Sequence, residues 1–419
     1  MTDTCSPPTT ISNNPQISTF LNSLATKTQA EIDQMCLDWY IQDSGAPTDA
    51  ECCPPTEDKA KVDERFELVD DLKLFNPDAD VGYRQRVPSK SGAGQRCVYK
   101  GGKLLVGAPS GGSVRKVSPN GDKGELAFFR DDQLPWMVCC NNDEANCKLF
   151  YERRPSNDGS CYKDPKIGMI CGDPHFTTYD GLYYTFLGLG EFWIIKSQDS
   201  VFSMQGRFTQ YLNTGATVCT VYVMQYQYCD GVGTIQLSLM KDYIEIMIDG
   251  QIVQFDTTPN QPKRTIVHKG ANIAINSLKD ISIAFASGFA FRFTYDPTVI
   301  NMVSQLDPKL KGTFKGLFGN FDDNQDNELT YPNGKIIPKD SNDKDIFDFG
   351  MSWKILCEDS LFTYPSDKGY ESFHDNKYVP NPIKVAVENA SPQAKEVCGE
   401  NHECLFDYTV TGNREMALS

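Results

Sequence analysis

The chain has no apolar run of the roughly 18 residues that a membrane-spanning helix needs. Its start carries Ser, Thr, Asn and Pro in place of the basic beginning and apolar centre of a secretory signal. Since the cysteines described below indicate an oxidising compartment, we expect the sequence to be a fragment of a larger extracellular protein. Any membrane attachment would then come from a segment outside it.

Positive charge is also scarce. The chain has 40 Lys and Arg residues against 56 Asp and Glu residues, and its net charge is -16. Nucleic acid and anionic membrane surfaces would repel such a chain, which argues against either as a partner. An excess of carboxylates is also typical of proteins that hold cations through oxygen ligands.

Signatures of catalysis are missing as well. The four histidines are too scattered for a sequence-local zinc site, none lies beside a Gly-x-Ser-x-Gly turn, and the cysteines show no repeated Cys-x-x-Cys spacing. The prediction is a non-enzymatic protein. A hydrolase with an unrecognised centre among scattered carboxylates or histidines is the alternative, and no motif supports it.

Cysteine, by contrast, is abundant, with 15 in 419 residues. In the absence of zinc spacing, disulfides formed in an oxidising compartment are the better interpretation. The odd number leaves at least one thiol free, bound between chains or paired outside the sequence. The disulfide candidates are Cys36, Cys52, Cys53, Cys97, Cys139, Cys140, Cys147, Cys161, Cys171, Cys219, Cys229, Cys357, Cys398 and Cys404.

The length predicts two or three domains. After a polar lead-in, apolar residues at three- and four-residue spacings from Phe20 to Trp39 predict one amphipathic helix that ends near residues 45–47. The following stretch, to about residue 165, is rich in cysteine and turns, so we expect disulfides rather than a large core to hold it.

From Gly181 the apolar residues recur at every second position, as in 235–239, 244–248, 281–285 and 289–293. This alternation, broken by turn residues, predicts about ten antiparallel strands packed as a sandwich or open barrel, each sheet with one buried face. After Cys357 the strand pattern stops, and a short helix is expected around Ile383–Ala390.

Three motifs resemble a von Willebrand factor type D domain, at residues 171–196, 316–325 and 349–354, in the order of that family. Upstream, the cysteine-containing words at 36–40, 52–54, 95–99 and 139–155 resemble an AMOP domain. This order is similar to that in a membrane-tethered mucin and in sushi-domain-containing cell-surface proteins. The expected boundaries are a linker at 1–18, an AMOP-like domain at 19–165, a type D domain at 166–359 and a further ectodomain segment at 360–419.

The resemblance implies a mainly β fold, with a cysteine-rich α+β domain followed by an antiparallel β-sandwich or open barrel. It also implies a module of a cell-surface or matrix glycoprotein that works in adhesion or assembly, with extracellular or cell-surface proteins as partners. The alternative is a secreted, disulfide-linked polymer like the gel-forming mucins. That role transfers poorly, because only Cys398 and Cys404 follow Cys357 where those relatives have a cysteine-dense module.

A calcium site is expected in the run from Asn320 to Glu328, which places side-chain oxygens at close intervals. Calcium takes six to eight oxygen ligands, and the run is not an EF-hand. A solvated acidic turn is the alternative for such a run taken alone. The expected ligands are Asn320, Asp322, Asn324, Asp326 and Asn327, and the resemblance adds Asp173 as a remote ligand.

Self-cleavage is expected at Gly172-Asp173-Pro174-His175, because relatives with this word can be cut between Asp and Pro. The Asp173 carboxyl can attack its own backbone carbonyl, and the proline nitrogen leaves more readily than an ordinary amide nitrogen once it is protonated. His175 is the expected proton donor, with a pKa suited to mildly acidic secretory compartments. Metal binding by Asp173 would compete with this role.

Asn389 is the candidate for N-glycosylation, because Ala390 and Ser391 follow it in the acceptor pattern. The next residue, Pro392, lowers the use of this pattern.

Overall fold

The computed structural model describes residues 14–69, 71–121, 123–140, 144–211, 214–228, 231–254, 264–375, 377–380, 383–412 and 414–417. The chain divides into two compact units. The first holds residues up to Asp164 together with Ile266–Ile273 and Ala284–Ala286, and the second holds the remainder from Pro165 to the C-terminus.

The first unit combines short helices with a small antiparallel sheet. Its helices are α1 (Pro15–Leu24), α2 (Gln29–Gln42), α3 (Glu57–Val62), α4 (Leu72–Phe75), α5 (Gly124–Phe128), α6 (Leu134–Cys140) and α7 (Glu144–Arg153). Its strands are β1 (Phe66–Leu68), β2 (Val81–Gln85), β3 (Gly94–Lys100), β4 (Lys103–Leu104) and β5 (Val114–Arg115). The sheet order is β1-β2-β3-β4, and β5 pairs with β3.

The single N-terminal helix predicted from the sequence is two helices. The chain leaves α1 after Leu24 and restarts at Thr28, whose side chain and the Glu31 side chain cap each other's backbone N–H groups. A reciprocal cap of this kind satisfies two of the free donors at a helix start, so it fixes a new beginning inside a continuous apolar pattern.

Two small apolar clusters form the core of this unit, and each is built around a disulfide. One surrounds Cys36–Cys139 with Phe75, Trp136 and Phe150, and the other surrounds Cys53–Cys97. Two further disulfides, Cys52–Cys161 and Cys140–Cys147, complete the set in this unit. The expectation that disulfides rather than one large core hold this region agrees with this arrangement.

A buried ionic network joins three distant segments of the first unit. The fully buried Arg154 guanidinium lies 2.7 Å from Asp43 and 2.8 Å from Asp132. Asp132 also accepts the backbone N–H groups of Lys116 and Val117. Every charge therefore has a partner, as burial requires.

The second unit is an antiparallel β structure of two sheets. One has the order β14-β13-β12-β11-β10-β9-β20 and the other β15-β16-β17-β18-β19-β6-β7-β8. The strands are β6 (Lys166–Cys171), β7 (His175–Thr177), β8 (Tyr183–Thr185), β9 (Gly190–Ser197), β10 (Phe202–Gln210), β11 (Thr217–Tyr228), β12 (Gly231–Leu239), β13 (Ile244–Ile248), β14 (Gln251–Ile252), β15 (Arg264–His268), β16 (Ala271–Ser277), β17 (Asp280–Phe285), β18 (Phe289–Tyr295), β19 (Ile300–Leu306) and β20 (Phe314–Lys315).

Aromatic side chains fill the space between these two sheets. The Phe202 ring of β10 stacks on Phe289 of β18 with 4.3 Å between ring centroids, and Tyr222 of β11 lies 5.2 Å from Phe293. The mainly β fold class is confirmed. The strands within the described residues number fifteen rather than about ten, because strands of two or three residues such as β7, β8 and β20 are too short to show an alternation.

Helices follow the sheets and belong to the same compact unit. They are α8 (Asp343–Ser352), α9 (Ile383–Glu388), α10 (Pro392–Cys398), α11 (His402–Thr411) and α12 (Arg414–Ala417), with 3-10 turns at Pro308–Leu310, Gln325–Asn327, Cys357–Asp359 and Tyr370–Phe373. Phe406 of α11 is fully buried in a cluster with Leu187 and Ala386. Cys398 and Cys404 form a disulfide that joins α10 to α11. No helix among the described residues is long and apolar enough to cross a bilayer.

Candidate cleavage and cation sites

The Gly-Asp-Pro-His motif forms the turn between β6 and β7. In the register of these two strands, Cys171 pairs with His175. Gly172 has a φ of 61°, a left-handed conformation that favours glycine. Its N–H donates to Asn301 Oδ1 at 3.1 Å, and the Pro174 carbonyl accepts the N–H of Phe186 at 3.2 Å. The backbone on both sides of the Asp173–Pro174 bond is therefore held in place.

Buried charge surrounds this turn. The Asp173 side chain is fully buried, and its Oδ1 lies 3.0 Å from His175 Nε2, although neither carboxyl oxygen has a well-aligned hydrogen bond. The same Nε2 hydrogen-bonds Asp407 Oδ1 at 3.2 Å, and the other ring nitrogen contacts Thr185 Oγ1 at 2.7 Å. Two carboxyl groups thus converge on one imidazole.

This arrangement shifts the pKa of both partners in the turn. Burial, together with the neighbouring Asp407 carboxyl, raises the pKa of Asp173 well above its usual range, against the opposing effect of His175. Burial lowers the pKa of His175, but the adjacent Asp173 and Asp407 carboxyl groups outweigh that effect and raise the pKa to about 10. This direction differs from the expected pKa in the mildly acidic range, because two neighbouring carboxyl groups favour the protonated form of the imidazole.

Asp407 was not predicted from the sequence. It lies on α11, 232 residues after His175, and is buried between the apolar side chains of that helix. Its only signal is an acid next to Leu405 and Phe406, and a sequence alone cannot say which distant element such an acid faces.

The acidic loop from Asn320 to Glu328 follows β20 and folds around the carboxylate of Asp180, a half-buried residue whose Oδ1 is inaccessible to solvent. Asp180 Oδ2 accepts the N–H groups of Asp322 and Asp323 at 2.8 and 3.0 Å. Four oxygens here are buried without a hydrogen bond: Asp180 Oδ1, Asn320 Oδ1, Asn327 Oδ1 and Glu328 Oε2. Buried acceptors without donors are rare, and a set of this kind fits a hard cation.

The backbone of the loop is shaped to bring these oxygens together. Gly319 has a φ of 77°, and a Cβ there would lie 2.3 Å from the Glu328 carboxylate, so the close approach of Glu328 requires glycine. Phe321 and Asp323 also have positive φ values, of 45° and 68°. Burial and the charges of Asp180 and Asp322 raise the pKa of Glu328 to about 7, against hydrogen bonds from Thr178 and Asn320 that lower it.

The loop residues predicted as ligands divide into two groups. Asn320 and Asn327 present free oxygens, and Asp322 accepts hydrogen bonds from both of their amides. Asn324 instead caps the 3-10 turn by accepting the N–H of Asp326, whose own carboxylate is exposed and paired with Lys339. Asn324 and Asp326, although predicted as ligands from the sequence, therefore face other partners in the structure.

Asp173 does not reach the loop, contrary to the expectation that it is the remote ligand. It precedes β7 in the turn from β6, whereas Asp180 follows β7 in the turn to β8. The two acids therefore lie at opposite ends of one strand, and it is Asp180 that hydrogen-bonds the acidic loop. Asp173 instead lies with His175 and Asp407, and one side-chain atom from each of these three buried residues lies within 4.8 Å of the others.

The remaining predicted sites are distributed as follows. Ten of the candidate cysteines form the five disulfides described above. Cys219 and Cys357 carry free thiols instead: Cys219 is buried in β11, where burial raises its pKa to about 12, and Cys357 is exposed. Cys171 ends β6, half-buried, and Cys229 lies outside the described residues.

Asn389, the glycosylation candidate, is exposed between α9 and α10. Ser391, the third residue of its pattern, caps α10 by accepting the N–H of Ala394. Its glycosylation stays a prediction.

Comparison with known protein families matches three segments of the chain to three domain families. Residues 31–163 match the AMOP domain, residues 168–335 the von Willebrand factor type D domain, and residues 386–419 the Mucin-4-like C8-3 domain. The disulfides and these domain matches place the chain outside the cell or at its surface. More particularly, it consists of an AMOP domain followed by a von Willebrand factor type D domain.

Curated relatives share this part of the chain at moderate identity. The protein mesh of Bombyx mori is 26% identical over 80% of the chain, and human Sushi domain-containing protein 2 is 26% identical over 77%. Human Mucin-4 is 31% identical over 55%. The aligned parts make up 24%, 41% and 5% of these relatives, so the chain spans less than half of each.

Proposed function

We propose that this chain is a non-enzymatic module of a cell-surface glycoprotein that acts in adhesion or in assembly with other extracellular proteins. The domain matches support it, because they are adhesion and mucin-type modules. The disulfides support it too, since the first unit needs an oxidising environment to form them. In this proposal calcium stabilises the second unit, and self-cleavage at Asp173–Pro174 is a maturation step.

Calcium binding is supported by the four buried oxygens of the acidic loop that have no hydrogen bond. Asp180, Asn320, Asn327 and Glu328 would hold the ion, with Asp322 close enough to contribute. Two carboxylates and two amide oxygens are ligands that calcium prefers. The ion would neutralise the charges that raise the pKa of Glu328, and would fix the turn after β7 to the loop.

Self-cleavage is supported by one observation above all: the Asp173 carboxyl is buried beside its own scissile bond, with its Oδ1 3.0 Å from His175 Nε2. The carboxyl attacks the Asp173 carbonyl carbon, and the bond to the Pro174 nitrogen breaks as that nitrogen takes a proton. The product is a cyclic anhydride, which water opens to a C-terminal aspartate. Pro174 becomes a new N-terminus.

The two products would stay together through backbone hydrogen bonds. β6, upstream of the cut, lies in its sheet between β19 and β7, which are both downstream. None of the five disulfides among the described residues crosses the bond, since Cys161, the nearest disulfide-bonded cysteine before it, pairs with Cys52. Strand pairing would therefore contribute to the association.

The chain supplies its own controls for a test. It contains three further Asp-Pro bonds, Asp164–Pro165, Asp296–Pro297 and Asp307–Pro308, and none is followed by histidine. Purified protein is incubated at about pH 5.5 and about pH 7.5, which span the mildly acidic and neutral range of the secretory pathway. The products are resolved on denaturing gels and by gel filtration, and their N-termini are sequenced.

We expect a single cut, before Pro174, with the fragments separating on the denaturing gel and co-eluting in gel filtration. An Asp173→Asn variant should stay intact, because its amide is a poor nucleophile. One intact band for the unmodified chain at both pH values would refute self-cleavage, and cuts at all four Asp-Pro bonds would show ordinary acid hydrolysis instead.

A further inference from the structure

Within the part of the chain that the structure describes, Asp407 is the acid that reaches the Asp173–Pro174 turn from outside its own hairpin. It hydrogen-bonds His175 Nε2 at 3.2 Å, and a Cβ on Gly172 would lie 3.4 Å from its second carboxyl oxygen. Its carboxyl therefore lies against both the imidazole and the backbone next to the bond to be cut. The segment that carries it, residues 386–419, matches a different family from the type D domain.

The helix that carries Asp407 is held in place independently of this contact. Phe406, next to it, is fully buried with Leu187 and Ala386, and the Asn401 side chain caps the helix by accepting the N–H of Cys404. The Cys398–Cys404 disulfide joins α11 to α10. The position of Asp407 thus depends on the docking of this helix rather than on a flexible tail.

We propose that Asp407 is the third residue of the self-cleavage site, which accepts the proton of Asp173 and passes it to His175. This inference rests on the proposed self-cleavage. It makes the C-terminal helix a required part of the reaction, so the site is shared between the type D hairpin and the segment that follows the domain.

The step balances in atoms and protons. As the Asp173 oxygen bonds to its own carbonyl carbon, the carboxyl proton moves to Asp407 and the carbon–nitrogen bond to Pro174 breaks. His175 gives a proton to the proline nitrogen, and Asp407 restores it through the hydrogen bond to Nε2. Water then opens the anhydride, and no external oxidant, reductant or cofactor is consumed.

Few other groups face this site. The elements packed against His175 contribute Asp173 from the turn, Asp407 from α11, and Thr185 and Tyr183 from β8. Tyr378 faces Asp173 from the segment at 377–380, and burial and the Asp173 charge raise its pKa. Because both acids can share one proton with the imidazole, removal of Asp407 should change the pH at which the turn reacts.

The test compares Asp407→Asn with the matched control Glu396→Gln, an exposed acid on the neighbouring helix α10. Both variants are made in the full chain, and the rate of cleavage before Pro174 is measured from about pH 4 to about pH 8. We expect D407N to cleave at least about tenfold more slowly with a displaced pH profile, since a positioned acid or base contributes about 100-fold or more. E396Q should match the unmodified chain in both respects.

Folding is checked separately, because D407N can also disturb helix docking. Hydrogen exchange of β6 to β8 and α11 reports whether the hairpin and helix stay packed. If D407N loses that protection, cleavage is measured with Asp407→Glu instead, because this variant keeps the carboxyl group but moves it by about one methylene. We expect D407E to slow cleavage at least about tenfold, as small displacements of reacting groups do.

The failures can be told apart. Suppose that the unmodified chain is cut and that the deciding variant, folded D407N or otherwise D407E, cleaves with the original rate and pH profile. The role of Asp407 is then overturned, and self-cleavage stands. If the unmodified chain is never cut, self-cleavage and the role of Asp407 fall together.

Discussion

The two units of this chain solve the problem of stability in different ways. The AMOP unit distributes its apolar residues over small clusters and ties them with four disulfides. The type D unit buries stacked aromatic rings between two sheets and keeps the thiol of Cys219 free within one of them. A unit without a large continuous core depends on covalent cross-links, whereas a two-sheet core does not.

The largest test of this contrast is reduction of the disulfides. Treatment with dithiothreitol should unfold the AMOP unit, because each native disulfide in a small secreted domain contributes about 2–5 kcal/mol. The type D sheets should keep their protection. Hydrogen exchange measured separately for β2–β3 and for β10–β12 checks this outcome, and simultaneous loss of protection in both units would contradict it.

Individual bonds sharpen the same prediction. Cys52–Cys161 closes a loop of 109 residues and Cys140–Cys147 one of seven. The loop-entropy relation gives about 4.8 kcal/mol for the first and about 2.4 kcal/mol for the second, so replacing the first pair by alanine should cost about twice as much.

A somewhat smaller effect is expected from the ionic network of the AMOP unit. Arg154→Met leaves Asp43 and the buried Asp132 without their cation and should cost about 3–5 kcal/mol. Arg130→Met, which breaks the exposed pair with Asp131, should cost less than about 1 kcal/mol. Urea unfolding monitored by exchange in each unit compares the two, and equal costs would show that the network contributes little.

The smallest effect expected is that of calcium on the type D unit. A concentration 100 times the dissociation constant should stabilise it by about 2.7 kcal/mol, leaving the AMOP unit unchanged. Asp180→Asn should abolish this gain, because it removes the carboxylate that faces the loop. Asp323→Asn should keep it, because Asp323 is exposed and paired with Lys311. Thermal melts with calcium and with a chelator measure the difference, and identical melts would contradict the proposed site.

The sequence predicted the classes of element better than the positions of the acids. The order of the domains, the mainly β fold and the acidic loop could all be inferred from local patterns and motif words. Asp180 was not predicted because the type D motif that indicated a ligand contains Asp173, which lies seven residues earlier. Only the three-residue strand between them shows that the two acids lie at opposite ends.

Asp407 and the break between α1 and α2 show two other limits. Asp407 acts through a contact across more than half of the chain, and no local pattern encodes such a pairing. The break was encoded locally, by Thr28 and Glu31, but the apolar spacing on both sides of it concealed the cap. A long-range contact is identified only from a structure, whereas a capping box is identified from the sequence as Thr or Ser followed three residues later by Glu or Gln.

The place of β6 between β19 and β7 has a mechanical consequence for the proposed self-cleavage. In an uncut chain, tension passing from the AMOP unit to the type D sheets runs through a peptide bond. In a cut chain the hydrogen bonds of β6, a strand of six residues, would carry part of the same load. Scission would thus replace one covalent connection along the chain by contacts that separate at lower force.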